Sequence, residues 1–220
     1  MMSKLITPRS LIGVRRASSA HVQPHWLEKN CGDVPVHPQT HDPEVSAMLR
    51  GGHALQIASL KLLKAQVATS QVLQTYSSAH VGNLRELQEI ENVAVQRIEE
   101  AVQTKDFRFR PSLVIPAVEL GSFAAGSVLS TLGDAVSTSY VTGVKMAVSD
   151  FYNDQIREIY ASKSEMVELK ELFKVARDEE QEFVDAHTSA TVVSNEASSD
   201  PVTTFAKASL KVLAQVARVV

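Results

Sequence analysis

Residues able to do chemistry gather at two places in this chain of 220 residues. Between positions 21 and 43 stand His21, His25, Cys31, His37 and His41, residue types that bind zinc. Their spacing matches no standard finger, and four of the eight prolines fall in the same stretch. The segment therefore reads as an extended arm without metal, its Trp26 suited to lying on a partner subunit. The second place is the acidic run Glu179, Glu180 and Glu182, which by its own pattern is a solvated helix face. No histidine occurs between His80 and His187. Glycine-rich phosphate loops, a Gly-x-Ser-x-Gly elbow and a basic stripe with interleaved aromatics are all missing from the sequence. Cys31 is the only cysteine, so no intrachain disulfide forms, which suits the matrix side of mitochondria.

The elements around these residues are helical. A content of 44% hydrophobic, 5% aromatic and 21% charged residues, with few β-branched alternations, points to an all-α globular chain with a substantial core. Residues 1–20 carry Lys4, Arg9, Arg15 and Arg16 among Leu, Ile and Ser and contain no acid, the pattern of a mitochondrial presequence. Residues 21–43 form the arm and 44–220 the helical domain. The formal charge of −3 makes nucleic acid an unsuitable partner. Asp42-Pro43 opens a helix that the apolar spacing carries to about Tyr76. The second runs from about Val81 to Gln103 on a stripe of Leu84, Leu87, Ile90, Val95 and Ile98. The third, 112–132, is nearly uncharged and rich in Gly, Ala and Ser; Glu119 and its small residues favour a buried or interfacial helix over a membrane span. The fourth runs from Gly133-Asp134 to about Ala161. Ser162 with Glu165 forms a capping box for the fifth, which ends near His187. Asp200-Pro201 opens a sixth, with Phe205, Leu210, Leu213, Val216 and Val219 on one face.

Four stretches, in order, carry a family resemblance. LRGGHALQIASLKLLKAQ (49–66) parallels IRVDHAGEYGANRIYAGQ, and FRFRPSLVIP (107–116) parallels FRVRPTVLMP. Residues 141–156, with Tyr152-Asn153 and Gln155-Ile156 kept, parallel VAVEESIAHHYNNQIR, and ARDEEQEFVD (176–185) parallels FRDEELEHHD. Over about residues 45–220 the chain resembles the demethoxyubiquinone hydroxylases, di-iron enzymes of ubiquinone biosynthesis. The resemblance implies a ferritin-like antiparallel helical bundle with two additional helices.

That family needs four carboxylates and two histidines, with Glu-x-x-His placing an oxygen and an imidazole on one helix face toward the same metal. At the matching positions this chain has Gln56 for the first glutamate, Glu89 and Asn92 as the best match for the second-helix pair, Lys145 for the bridging glutamate, and Glu180 followed by Phe183 where the last histidine belongs. An ammonium repels a metal ion. The resemblance therefore implies a degenerate site with no resident metal or other cofactor, in which Lys145 pairs internally with Glu180. The competing arrangement has Lys145 reaching solvent and Glu180 meeting Arg177 or lying exposed. His53 reads as a structural or surface histidine, and Tyr152 as a core hydrogen-bonding tyrosine.

The expected function on this basis is that of a non-catalytic accessory or scaffold subunit of an inner-membrane complex such as ATP synthase or a respiratory complex. It would be peripheral on the matrix side, would touch lipid through residues 112–132 and 201–220, and would have room for a quinone or phospholipid. The alternative is a quinone-binding or chaperone component of ubiquinone biosynthesis. An active demethoxyubiquinone hydroxylase stands third.

Overall fold

Aspartate followed by proline opens both the first and the last helix of the computed structural model, which describes residues 42–103, 109–189 and 200–220. In each case the aspartate accepts from backbone N–H groups of the first turn, Asp42 from Glu44 and Asp200 from Val202 and Thr203, while the proline needs no partner there. Among the described residues the elements are α1 (Pro43–Leu73), α2 (Ser78–Gln103), α3 (Ile115–Leu129), α4 (Asp134–Ser162), α5 (Val167–Ser189) and α6 (Pro201–Val219). The stretch expected to be a presequence, and the expected arm up to residue 41 with its zinc-type residues, lie outside the described residues.

The fold is all-α. α1, α2, α4 and α5 make a ferritin-like antiparallel bundle, and α3 and α6 are added against α1. α1 is its axis: from Gly51 to Leu60 every residue is buried, the polar His53, Gln56 and Ser59 included, because other helices surround it. Antiparallel register between α1 and α4 shows in two hydrogen-bonded pairs, Gln56 with Tyr152 and Gln66 with Ser137. Leu63, Val67, Leu84, Leu87 and Val141 fill one end of the core, and Ala54, Ile57, Val95 and Ile115 the other. Gly133 turns the chain into α4 at φ 87°, a left-handed conformation that glycine adopts at little cost.

Two glycines set the added helices. A Cβ on Gly126 of α3 would run into the Leu62 carbonyl oxygen of α1, and a Cβ on Gly143 of α4 would stand 2.5 Å from the Thr203 carbonyl oxygen of α6. Backbones approach this closely only where a side chain is missing.

Three local expectations are corrected. Ser162 does not cap α5: it ends α4, its hydroxyl donating to the Glu158 carbonyl, and α5 starts at Val167. The α2 stripe does not include Ile90, which is 40% exposed, but Glu91, which is fully buried. Leu84, Leu87, Glu91, Val95 and Ile98 follow the three-and-four spacing of a helix face, whereas Ile90 breaks it. Finally, the apolar residues of α6 do not share one face. Thr203, Ala206, Leu210, Ala214 and Ala217 are buried, while Phe205 and Val219 are 67% and 83% exposed.

Candidate functional site

At the centre of the bundle four helices present polar side chains to one another, each through its buried face. α1 contributes Gln56 and Ser59, α2 Glu91, α4 Lys145 and Tyr152, and α5 Glu180, all 2% exposed or less. Lys145 Nζ donates to Glu91 Oε1 and lies 3.0 Å from Glu180 Oε2, a charge contact rather than an aligned hydrogen bond. It also sits 5.9 Å from the centre of the Phe183 ring. Ser59 donates to the same Glu91 oxygen at 2.7 Å. The Gln56 amide reaches Tyr152 Oη and Glu180 Oε1, each at 3.4 Å. Tyr152 packs on Phe151 and Phe173, and its hydroxyl lies over Gly52, where a Cβ would be 3.1 Å from it.

The charges explain the titration. Burial by itself lowers the Lys145 pKa, but the carboxylates of Glu180 and Glu91 outweigh it and hold the ammonium charged above the ordinary lysine range. Burial raises Glu180, the neighbouring Glu91 charge adds to this, and Lys145 only partly opposes it. Burial also raises the Tyr152 hydroxyl, so it stays a neutral phenol. With both carboxylates ionised the cluster carries one net negative charge.

Stability should follow from this with a definite sign. Glu180 keeps its proton in the fold at pH values where the unfolded chain has lost it, so its contribution is complete below the usual glutamate pKa of about 4.3 and is lost as pH rises toward neutrality. Urea unfolding of wild type and Glu180→Gln across about pH 5 to 7.5 should show the wild type losing stability relative to the variant as pH rises. Parallel curves would refute the assignment.

Of the positions drawn from the sequence, Gln56, Lys145, Glu180 and Phe183 come together at this cluster, while Glu89 does not. Glu89 is exposed, on the far side of α2, and Asn92 beside the cluster's Glu91 is only half-buried. Glu91 takes that place because it lies on the stripe of Leu84 and Leu87. Three residues after it stands Ala94, where a Glu-x-x-His pair would need an imidazole. Glu180 does not meet Arg177, which pairs with Asp178. Glu179 forms a two-pronged bridge to Arg97 of α2 at 2.7 Å. His53 is fully buried rather than on the surface, beside Glu99 and the edge of Phe109.

A metal pair is implied by the resemblance, and the chemistry of these donors decides whether it fits. Two divalent cations need carboxylate and imidazole donors around them. Here an ammonium occupies the space between the two carboxylates, an amide stands in for a third, and among the described residues no imidazole points in. As these side chains stand, they do not fit a pair of metal cations.

Beside the cluster, α1 and α4 floor a groove walled by α3 and α6, with a cavity of about 240 Å3. Ala58, Ser59 and Leu62 of α1 and Val144 of α4 lie at its base, and Ser122 and Leu213 are on the walls. Ser59 thus faces two ways, to the groove and to Glu91. Outside the groove, α3 presents Leu120, Phe123 and Val128 to the surface and α6 presents Phe205, Val212 and Val219. Among the described residues no helix is long and apolar enough to cross a membrane.

Comparison with known proteins gives the fold its kin. The family model described as "Ubiquinone biosynthesis protein COQ7" matches residues 43–219. A protein of Dictyostelium discoideum named "NADPH-dependent 3-demethoxyubiquinone 3-hydroxylase, mitochondrial" is 26% identical over 140 residues, 64% of this chain and 61% of that one. The Homo sapiens protein of the same name is 28% identical over 142 residues, 64% of this chain and 62% of its own. The matched part spans about three-fifths of the length of these curated relatives. These findings overturn the expectation of a non-catalytic accessory subunit of ATP synthase or a respiratory complex, because the relatives are named as hydroxylases and the family for ubiquinone biosynthesis. The expectations of no enzymatic role and no cofactor fall with it, because the relatives carry a hydroxylase's name. From residue 43 to 219, the chain belongs to the ubiquinone biosynthesis protein COQ7 family.

Proposed function

We propose that this chain serves ubiquinone biosynthesis in mitochondria by drawing a quinone- or phenol-type ring with an apolar tail from the inner membrane's matrix face into the groove between α3 and α6. The observation that carries this is the groove itself. It lies between two helices with exposed apolar faces, and its polar floor stands directly over a buried charged cluster. A cavity of about 150 Å3 is enough for benzene, so about 240 Å3 admits a substituted ring while the tail follows the apolar walls. The surface residues Leu120, Phe123, Phe205 and Val212 would seat the protein in the headgroup region without spanning it. Family membership and the mitochondrial hydroxylase names of the relatives support the same reading.

The names of the relatives also favour a second reading, in which the chain itself hydroxylates the ring with electrons from NADPH. One set of measurements separates the two. A short-tailed demethoxyubiquinone should bind the purified protein saturably, and the protein should sediment with vesicles of anionic phospholipid. The double variant Phe123→Glu, Phe205→Glu should weaken vesicle binding by about tenfold or more, because each change removes an exposed apolar ring that the headgroup region would bury and adds a charge. Absence of saturable ring binding would overturn the groove reading. NADPH-driven conversion of the bound ring establishes the hydroxylase reading, and binding without conversion establishes the carrier reading.

A further inference from the structure

A serine hydroxyl has one hydrogen to give and two lone pairs to receive with. At the base of the groove the hydrogen of Ser59 is already committed to Glu91 Oε1, at 2.7 Å, while the same oxygen also accepts from Lys145. What Ser59 presents to the groove is therefore lone pairs. Ser209 on the α6 wall is in the same condition, its hydrogen donated to the Ala206 carbonyl at 2.8 Å. The field beneath has the same sign. Glu91 and Glu180 place two carboxylates against one ammonium a single hydrogen bond below the floor, and Glu91 Oε2 receives no hydrogen bond from the described residues. A group arriving at Ser59 meets an acceptor backed by net negative charge once pH rises past neutrality and Glu180 has lost its proton, in surroundings of low dielectric where such complementarity counts.

From this we infer that the groove floor at Ser59 selects the ring oxygen seated there by hydrogen-bond polarity: it takes the hydroxyl-bearing form, a phenol or hydroquinone, and disfavours a quinone carbonyl at that place, the hydroxyls of Ser122 and Tyr140 lying elsewhere in the lining. The inference rests on the groove reading above and adds to it the form of the ligand and the residue that chooses it. A phenolic O–H pointed at Ser59 makes a hydrogen bond, and its hydrogen sits in a favourable field. A quinone carbonyl in the same place sets oxygen against oxygen, and Ser59 could donate to it only by abandoning Glu91. Ser59 then acts as the specificity-determining residue, with Glu91 positioning its hydrogen.

The test uses three probes with the same single prenyl group: a phenol, its methyl ether, and the related benzoquinone. Binding to the full chain is measured by anaerobic calorimetry at about pH 8, where Glu180 is ionised and the phenol is uncharged. The phenol should bind about tenfold tighter than either partner, the worth of one good hydrogen bond. In Ser59→Ala that ratio should fall to near one through loss of phenol affinity, with ether binding kept. In Glu91→Gln, which leaves Lys145 paired with Glu180 and removes the excess negative charge, the ratio should narrow. Equal binding of phenol and quinone by the wild type would overturn the inference and leave the groove reading standing. A ratio that persists in Ser59→Ala would also overturn it, because the preference would then come from the ether's bulk or from another wall residue. Failure of all three probes to bind would overturn the groove reading and the inference together.

Discussion

Replacing Lys145 with methionine should destabilise the fold by about 3–5 kcal/mol in urea unfolding at neutral pH, among the largest losses a single substitution can cause. The side chain is 1% exposed and, among the described residues, its ammonium is the only positive charge at the two buried carboxylates of Glu91 and Glu180. Methionine fills a similar volume, so the loss comes from charge and not from a cavity. Glu91 and Glu180 are then left facing each other out of water without a cation, and Glu180 avoids a second like charge only by holding its proton still more tightly. The size of the effect can be traced to that cause by a rescue: Lys145→Met combined with Glu91→Gln and Glu180→Gln removes all three charges and keeps their shapes, and should recover most of the loss. Lys170, whose ammonium lies over the Tyr160 ring at the surface, serves as a comparison. Its change to methionine should cost no more than about 1 kcal/mol. If the triple variant were as unstable as Lys145→Met alone, the cluster would be held by packing rather than by its charges.

The bundle was legible in the sequence because each helix announces itself by local physics. Asp42-Pro43 and Asp200-Pro201 cap, Gly133 turns, and apolar spacing does the rest. Gln56, Lys145 and Glu180 could be placed together from family resemblance alone, since each lies in one of the stretches that carry it. Glu91 was missed because the resemblance is loose along α2, and an acid on an apolar stripe was passed over in favour of Ile90. The spacing from Leu84 and Leu87 to Val95 and Ile98 holds the signal that would have found it. The two-sided apolarity of α6 was hidden for a different reason. Four of its five buried positions are Thr203, Ala206, Ala214 and Ala217, small residues that carry little hydrophobic signal, and Thr203 and Ala206 lie where α6 comes close to α4. The groove could not be read from the chain at all. It exists because α3 and α6 stand apart on α1, a distance set by tertiary contact.

That distance depends on Gly126 and Gly143, and the same substitution at four glycines should therefore give opposite signs. Gly82 in α2 and Gly121 in α3 have open space where a Cβ would go. Alanine there should stabilise by up to about 1 kcal/mol, through better helix propensity and a less flexible unfolded chain. At Gly143 a Cβ would lie 2.5 Å from the Thr203 carbonyl oxygen and 2.9 Å from Ala206 Cβ. Both belong to the face of α6 that seats it, and a backbone atom cannot turn aside as a flexible side chain can. Gly126→Ala meets the Leu62 carbonyl of α1 in the same way. Each should cost about 1–3 kcal/mol, the range for forcing atoms into a well-packed contact. Stability loss here should come with a functional mark, because α6 carries Leu213 and Ser209 of the groove wall and α3 carries Val118 and Ser122. Moving either helix outward widens the groove, so ring affinity measured below the unfolding transition should fall for Gly126→Ala and Gly143→Ala and stay level for Gly82→Ala. Four unfolding curves and four binding titrations check this. If Gly143→Ala proved as harmless as Gly82→Ala, the close seating of α6 would not be what holds the groove in shape.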